Sequence, residues 1–393
     1  MRRVHLSPPT IPESINASLT QVDYYPAGAL FNETDPNTSL MSTGFKAFCR
    51  VQINITTSST SSAKSEIWLP DDWAGTFWGT GNGASGGGFN WADLGYVAVN
   101  HGFAGHATNG GHSSNGSSAV AFDNPESLID WNDRAMHQGT VAGKAITAKY
   151  YGDSTFHSYY GSCSAGGRQG WIEAERYPED YDSIITGSPA VDDVRQSGSA
   201  LWVNQKVLPV NGSTWFSNET WGLVHAEVMR QCDEIDGATN PNITAFVARG
   251  GKMIQYVGWN DQYLSPYASI RWHDEVDTFM STNTNYTTSD YYRLFIVPGM
   301  THCGGGAGPN FFGQPDMYTA APVALDPEHN IIFSLLEWRQ KGKAPDSYIG
   351  TSFHNNNISL GVSYEWPICM WPKHTTYNGH GDPTKASNFH CAL

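Results

Sequence analysis

The sequence predicts an α/β protein built on an open, mostly parallel sheet. Short apolar runs alternate with longer segments of helical periodicity. Glycine-rich loops follow several of the apolar runs. A serine, an aspartate and a histidine each stand just beyond such a run, where open α/β sheets place their sites.

The elements follow in order. Residues 1–45 are rich in Pro, Asn and Thr with little periodicity, and read as an irregular N-terminal arm. The alternating strands and helices fall in 46–204 and 246–393, and a Trp-containing stretch, 205–245, separates them. FCRVQINITT and SEIWLP alternate apolar with polar residues around the Ser-rich SSTSSAKS, which predicts a hairpin. TFWGT is a short strand entering the loop GNGASGGGFNW, and GYVAVNHGF (95–103) reads as another strand. ESLIDWNDRAMHQGTVAGKAITAKYY has helical spacing and stops at Gly152. HSYYGSCSAGGRQGWIEAERY reads as strand, tight small-residue turn and helix, followed by the strand SIITGSPA. KMIQYVG and RLFIVPG are strands separated by a polar stretch in which a helical pattern is diluted, and IIFSLLEWRQKG is an amphipathic helix.

Composition narrows the function. The chain has 393 residues with 22 basic and 37 acidic side chains, a net charge of −15. An acidic protein repels the phosphate backbone, so nucleic acid is not the expected partner. Aromatics make up 13% of residues and charged residues only 15%, which argues for a packed core over disorder. No apolar run reaches the length of a membrane span. Ten Asn-x-Ser/Thr sequons, from Asn16 to Asn357, together with six cysteines, point to an extracellular glycoprotein. The opening MRRVHLSPPTIPE has no apolar core of a signal peptide, so a mature chain or an incomplete N-terminus is expected.

Three junctions deliver chemistry. Ser164, in Ser162-Cys163-Ser164-Ala165-Gly166-Gly167, sits on a strand-to-helix turn that exposes its hydroxyl and aims backbone N–H groups at it. The common form of this turn has glycine two residues before the serine, where Ser162 stands here. Asp261 follows KMIQYVG, and an acid there can orient a histidine. His302 follows RLFIVPG, and imidazole is the natural base for a serine hydroxyl. Each residue alone is as well explained as an ordinary turn, a solvated acid or a structural histidine. Their order Ser, Asp, His is that of α/β-hydrolases. His106 and His112 lack the spacing of a zinc helix, which sets aside a metalloenzyme.

Cys163 directly precedes the serine and Cys303 directly follows the histidine. With CSAGGRQGWIEAERYPEDYDSIITGSPA, ARGGKMIQYVGWNDQYLSP and FIVPGMTHCGGG, the chain resembles the tannase/feruloyl esterase family of α/β-hydrolases, from Phe48 to Cys391. The resemblance implies an α/β-hydrolase fold and a Ser164–His302–Asp261 triad acting through an acyl-enzyme on an ester of an aromatic acid. It implies an oxyanion hole of the Ala165 N–H with a donor at Gly83 or Ala84, and disulfides Cys163–Cys303 and Cys369–Cys391. No cofactor is required for the chemistry. The family's large lid between serine and aspartate is strongly reduced here, since QCDEIDGATN passes almost at once into PNITAFVARGGKMIQY. Cys232, Asp233 and Asp236, with Ala238, match the start of the family's calcium loop; a structural Ca²⁺ and a plain polar loop are both open. Cys49 and Cys232 are left as free thiols or as a pair. The expected function is a secreted carboxylesterase for hydroxycinnamate or gallate esters of plant-wall or tannin origin. The alternative is a catalytically impaired lidless relative or plant-wall-binding protein.

Overall fold

The computed structural model describes residues 11–114, 124–191, 240–315 and 324–393. Nine strands form one sheet: β1 (Ala17–Tyr25), β4 (Phe48–Thr56), β5 (Ser62–Pro70), β6 (Thr76–Thr80), β7 (Ala104–Thr108), β8 (His157–Cys163), β9 (Ser183–Gly187), β10 (Lys252–Gly258) and β11 (Tyr292–Val297). Their spatial order is β1-β4-β5-β7-β6-β8-β9-β10-β11. Pairing is antiparallel from β1 to β7 and parallel from β7 to β11. β2 (Phe31–Thr34) and β3 (Ser39–Ser42) make a separate hairpin.

Helices cover both faces of the sheet. α1 (Pro125–Ile129) runs through a π turn, Asp130–Arg134, into α2 (Ala135–Tyr151), which ends on left-handed Gly152. α3 (Ala165–Arg176), α4 (Thr244–Ala248), α5 (Pro266–Asn283) and α6 (Ile331–Lys341) follow. Met136, Trp171 and Val276 from α2, α3 and α5 pack with Phe77, Tyr160, Ile184 and Met253 on one face. Leu335 and Trp338 of α6 pack with Trp78, Tyr159, Ile185 and Ile254 on the other. Neighbouring residues of one strand thus enter different cores, which is why these strands read as unbroken apolar runs. The chain ends in two hairpins, β12 (Ser347–Phe353) with β13 (Val362–Cys369), and β14 (His374–Tyr377) with β15 (Phe389–Ala392), tied by Cys369–Cys391. Among the described residues no helix is long and apolar enough to cross a membrane.

Two expectations are corrected. Residues 1–45 are not an irregular arm throughout: β1 is the edge strand of the central sheet, paired with β4 over its length, and β2–β3 packs Phe31 into an aromatic cluster with Trp68. An edge strand is held by backbone hydrogen bonds, and its side chains face mostly solvent, so it leaves no apolar alternation to read. Second, GYVAVNHGF is not a strand. Asp93–Ala98 forms a π turn and Val99–His101 a 3₁₀ turn, and the strand begins only at Ala104. Gly95 lets this turn sit against the Phe45 ring, where a Cβ would lie 2.1 Å from it. A short buried apolar run carries no period that separates strand from helix. Residues 205–245, expected as the remnant of a lid insertion, lie largely outside the described residues.

Candidate active site

Ser164 stands between β8 and α3 with φ 62° and ψ −125°, a strained backbone that only its neighbours can hold. Its N–H donates to the Gly187 carbonyl at 2.9 Å, and its carbonyl accepts the Arg168 N–H at 3.1 Å to start the helix. Close packing demands the glycines that follow. A methyl group at Gly167 would lie 2.5 Å from the Gly187 carbonyl oxygen, and one at Gly166 would lie 2.1 Å from Ser162 Oγ. Ser162 is buried, so the serine that replaces the usual glycine fits because residue 166 has no side chain.

Asp261 follows β10 and buries its side chain completely. One carboxylate oxygen accepts the N–H groups of Tyr263 (2.9 Å) and Leu264 (2.8 Å), and the other lies 2.9 Å from His302 Nδ1. Burial opposes ionisation here, but the hydrogen bonds from His302, Leu264 and Tyr263 outweigh it and hold the carboxyl below its ordinary range. An ionised carboxylate needs a donor, so Nδ1 is the ring nitrogen that carries a proton toward Asp261.

The aspartate and histidine loops are laced together. Asn260 N–H donates to the Met300 carbonyl, and Trp259 N–H donates to the Val297 carbonyl, both at 2.9 Å. Gly258 permits the approach, since a Cβ there would lie 2.3 Å from the Met300 carbonyl oxygen. Cys303, at φ 61°, is bonded to Cys163 with 5.9 Å between Cα atoms, so residues adjacent to Ser164 and His302 are covalently joined.

The glycine-rich loop after β6 completes the site. Asn82 Nδ2 donates to the carbonyls of Gly88 (2.7 Å) and Thr108 (2.8 Å), while Gln169 of α3 accepts the Asn82 N–H and donates to its side chain, both at 3.0 Å. The loop is thereby bolted to the helix that follows Ser164. Ser164, His302, Gly83 and Ala84 all border one cavity of about 550 Å³. Ala165 is buried at the first position of α3.

The cavity's remaining walls were not expected. Asn37–Leu40 of the β2–β3 hairpin, Phe89, Trp91, Tyr263 and Leu264 line it, and the Tyr263 ring stands edge-on to His302 at 5.2 Å. Tyr263 and Leu264 follow Asp261 closely enough that the motif signals them; nothing in the sequence marks the hairpin. Cys49 is a free, buried thiol pushed up to about 11 by that burial. Asp233, Asp236 and Ala238, like Cys232, lie outside the described residues. Among the described residues no group of three or more His, Cys, Asp or Glu side chains is placed to hold a metal ion. Of the sequons, Asn16, Asn32, Asn242, Asn285 and Asn357 are exposed, whereas Asn37 and Asn54 are half-buried.

Comparison with known proteins gives the chain its family. A family model described as "Tannase and feruloyl esterase" matches residues 49–240 and 237–392. A probable feruloyl esterase B of Aspergillus niger is 28% identical, covering 96% of this chain and 93% of the relative. That pairing extends over 498 residues, more than this chain contains, so the relative carries segments with no counterpart here. The crystal structure of feruloyl esterase B from Aspergillus oryzae superposes with a TM-score of 0.81 at 25% identity, covering 96% of this chain and 97% of that one. Tannin acyl hydrolase from Aspergillus niger shares the fold, with a TM-score of 0.68 at 16% identity, covering 98% and 93%. With an α/β-hydrolase sheet and the family match across nearly all of its described length, the chain belongs to the tannase and feruloyl esterase family and is a carboxylic ester hydrolase.

Proposed function

We propose that this enzyme is an extracellular serine esterase that cleaves esters of aromatic acids, hydroxycinnamic or gallic, of plant-wall or tannin origin. The observation that carries the reading is the 2.9 Å contact of His302 Nδ1 with Asp261 on the cavity that Ser164 also borders. With Nδ1 committed to Asp261, Nε2 is the nitrogen free to take the Ser164 proton. The serine oxygen attacks the ester carbonyl, and the tetrahedral oxyanion collapses as His302 returns the proton to the departing alcohol. His302 then deprotonates a water, which attacks the acyl-enzyme and releases the acid and free Ser164. The Ala165 N–H at the start of α3 and a backbone N–H at Gly83 or Ala84 stabilise the oxyanion, each donor worth about 10²–10³ in kcat.

The aromatic acyl group is supported by the cavity wall. Phe89, Trp91 and Tyr263 offer ring faces and edges to a planar acid, and about 550 Å³ accommodates a phenylpropenoate. The disulfides and exposed sequons support secretion. Ser164→Ala is expected to abolish hydrolysis of methyl ferulate, caffeate, p-coumarate and gallate with an unchanged far-UV spectrum. Full activity in that variant overturns the triad, and wild-type turnover of acetate esters alone overturns the aromatic substrate class.

A further inference from the structure

The β2–β3 hairpin lies far in sequence from every catalytic motif, yet its tip rests on the glycine-rich loop. Asp35 Oδ1 accepts the N–H groups of Asn37 (2.8 Å) and Thr38 (2.7 Å), closing the tip, while its other oxygen accepts the Phe89 N–H at 3.3 Å. Asn37 Nδ2 donates to the Gly87 carbonyl at 2.6 Å, and Thr38 Oγ1 donates to the Phe89 carbonyl at 3.1 Å. The two loops touch without slack: a Cβ at Gly86 would meet Asn37 Oδ1 at 2.6 Å, and one at Gly88 would meet Asp35 Oδ2 at 2.9 Å.

The hairpin is itself anchored in the core. Phe31 is fully buried, and Glu33 accepts from Arg50 at 2.6 Å. Arg50 in turn grips the buried Glu66 through two nitrogens, at 2.9 and 2.5 Å. The glycine-rich loop is also held elsewhere: His112 Nε2 contacts the Ser85 carbonyl at 2.8 Å, and Asn82 Nδ2 donates to the Gly88 carbonyl. Gly83 and Ala84 therefore belong to a loop held by the hairpin, by His112 and by Asn82, and the hairpin's bonds fall on its Gly87–Phe89 end.

We propose that Asp35 and Asn37 are positioning residues of the esterase: they hold the Gly86–Phe89 segment so that the donor at Gly83 or Ala84 is aimed at the oxyanion. This rests on the reading that the loop supplies the second oxyanion donor. Donor geometry matters most when charge develops, so loosening the brace weakens transition-state stabilisation more than substrate binding. The positions 37–40 also wall the cavity. A small substrate separates the two roles, because an acetyl group gains little from a distant wall.

The test uses p-nitrophenyl acetate turnover and inhibition by phenylboronic acid, which forms a tetrahedral adduct with a serine. Asn37→Ala, the isosteric Asn37→Asp, which loses the donor, and Asp35→Ala are each expected to lower kcat about 10-fold with KM within about 2-fold. Boronate affinity should weaken by the same factor. Asp35→Asn keeps one acceptor oxygen where both are used, so an NH2 group faces either the Phe89 N–H or the tip N–H groups, and kcat should fall, though by less than in Asp35→Ala. Far-UV spectra and Tm confirm that each variant is folded. Unchanged kcat in the first three variants, a rise in KM alone, or a kcat loss with unaltered boronate affinity overturns the positioning role. A wild-type protein inert toward the ester and the boronate overturns the esterase reading, and the proposal with it.

Discussion

His302 Nδ1 lies 2.9 Å from the Asp261 carboxylate across 41 residues of chain, and each residue reaches the other from the C-terminal end of a parallel strand. β10 and β11 are neighbours in register, with Gly258 opposite Val297, so the two loops leave the sheet side by side. Asp261→Asn preserves shape but can donate to Nδ1, which favours the wrong imidazole tautomer. The expected loss is about 10³–10⁴ in kcat with little change in KM, read by steady-state kinetics on folded protein. The same carboxylate contributes to acid stability. Its folded-state pKa is depressed, so the stabilisation is present above the unfolded value of about 3.9 and disappears as pH falls through the lowered folded value. Urea midpoints of the variant and wild type should therefore converge toward strong acid.

The Cys163–Cys303 bond closes a loop of 140 residues and joins the neighbours of Ser164 and His302. Cys163→Ser with Cys303→Ser is expected to cost about 3–5 kcal/mol of stability and to lower kcat at least about 10-fold, because the histidine loop loses its tie to the serine turn. Denaturation midpoints and turnover measure the two effects separately. Full activity in the folded double variant would show that the backbone bonds from Asn260 and Trp259 suffice.

Ser162 and Gly166 share one space. Gly166→Ala places a methyl 2.1 Å from Ser162 Oγ and is expected to destabilise by about 1–3 kcal/mol. Ser162→Gly in the same chain removes that clash and should restore most of the loss, leaving only the 3.1 Å approach to the Asn82 carbonyl oxygen. A double-mutant cycle of urea midpoints measures the coupling, and additive effects would refute the shared-space account.

Glu173 faces inward from α3 and is fully buried. Burial, with the charges of Asp180 and Asp133 close by, pushes its carboxyl well above the ordinary range, so the folded protein keeps the proton to higher pH than the unfolded chain does. Below about pH 4.3 both folded and unfolded chains keep the proton and the residue is neutral to stability. Above that value only the unfolded chain ionises, and stability falls as pH rises toward the folded value. Glu173→Gln removes this dependence. Its Tm should exceed that of wild type at pH 8 by about 2–4 °C or more, with the gap closing toward pH 4 in a thermal scan series.

Much of the fold was legible because local chemistry and tertiary role coincide. β8, β9, β10 and β11 are buried on both faces and announce themselves as apolar runs, and α2 ends where Gly152 takes its left-handed turn. The Cys-Ser, Asp and His-Cys junctions are readable for the same reason: each is a tight turn just beyond a strand, and such a turn permits few residues. Asp93–Ala98 was misread because a buried apolar run has no period, and β1 because an edge strand needs only backbone partners.

The sequence by itself determined an acidic, aromatic-rich α/β protein, the order of Ser164, Asp261 and His302 beyond their strands, and the cysteines beside two of them. Only the tertiary structure decided what surrounds them. Asp35 and Asn37 reach Phe89 and Gly87 across about fifty residues through single hydrogen bonds, and Asn37–Leu40 become a cavity wall. Such contacts depend on where the whole sheet delivers two loops, and no local pattern of residues encodes that distance.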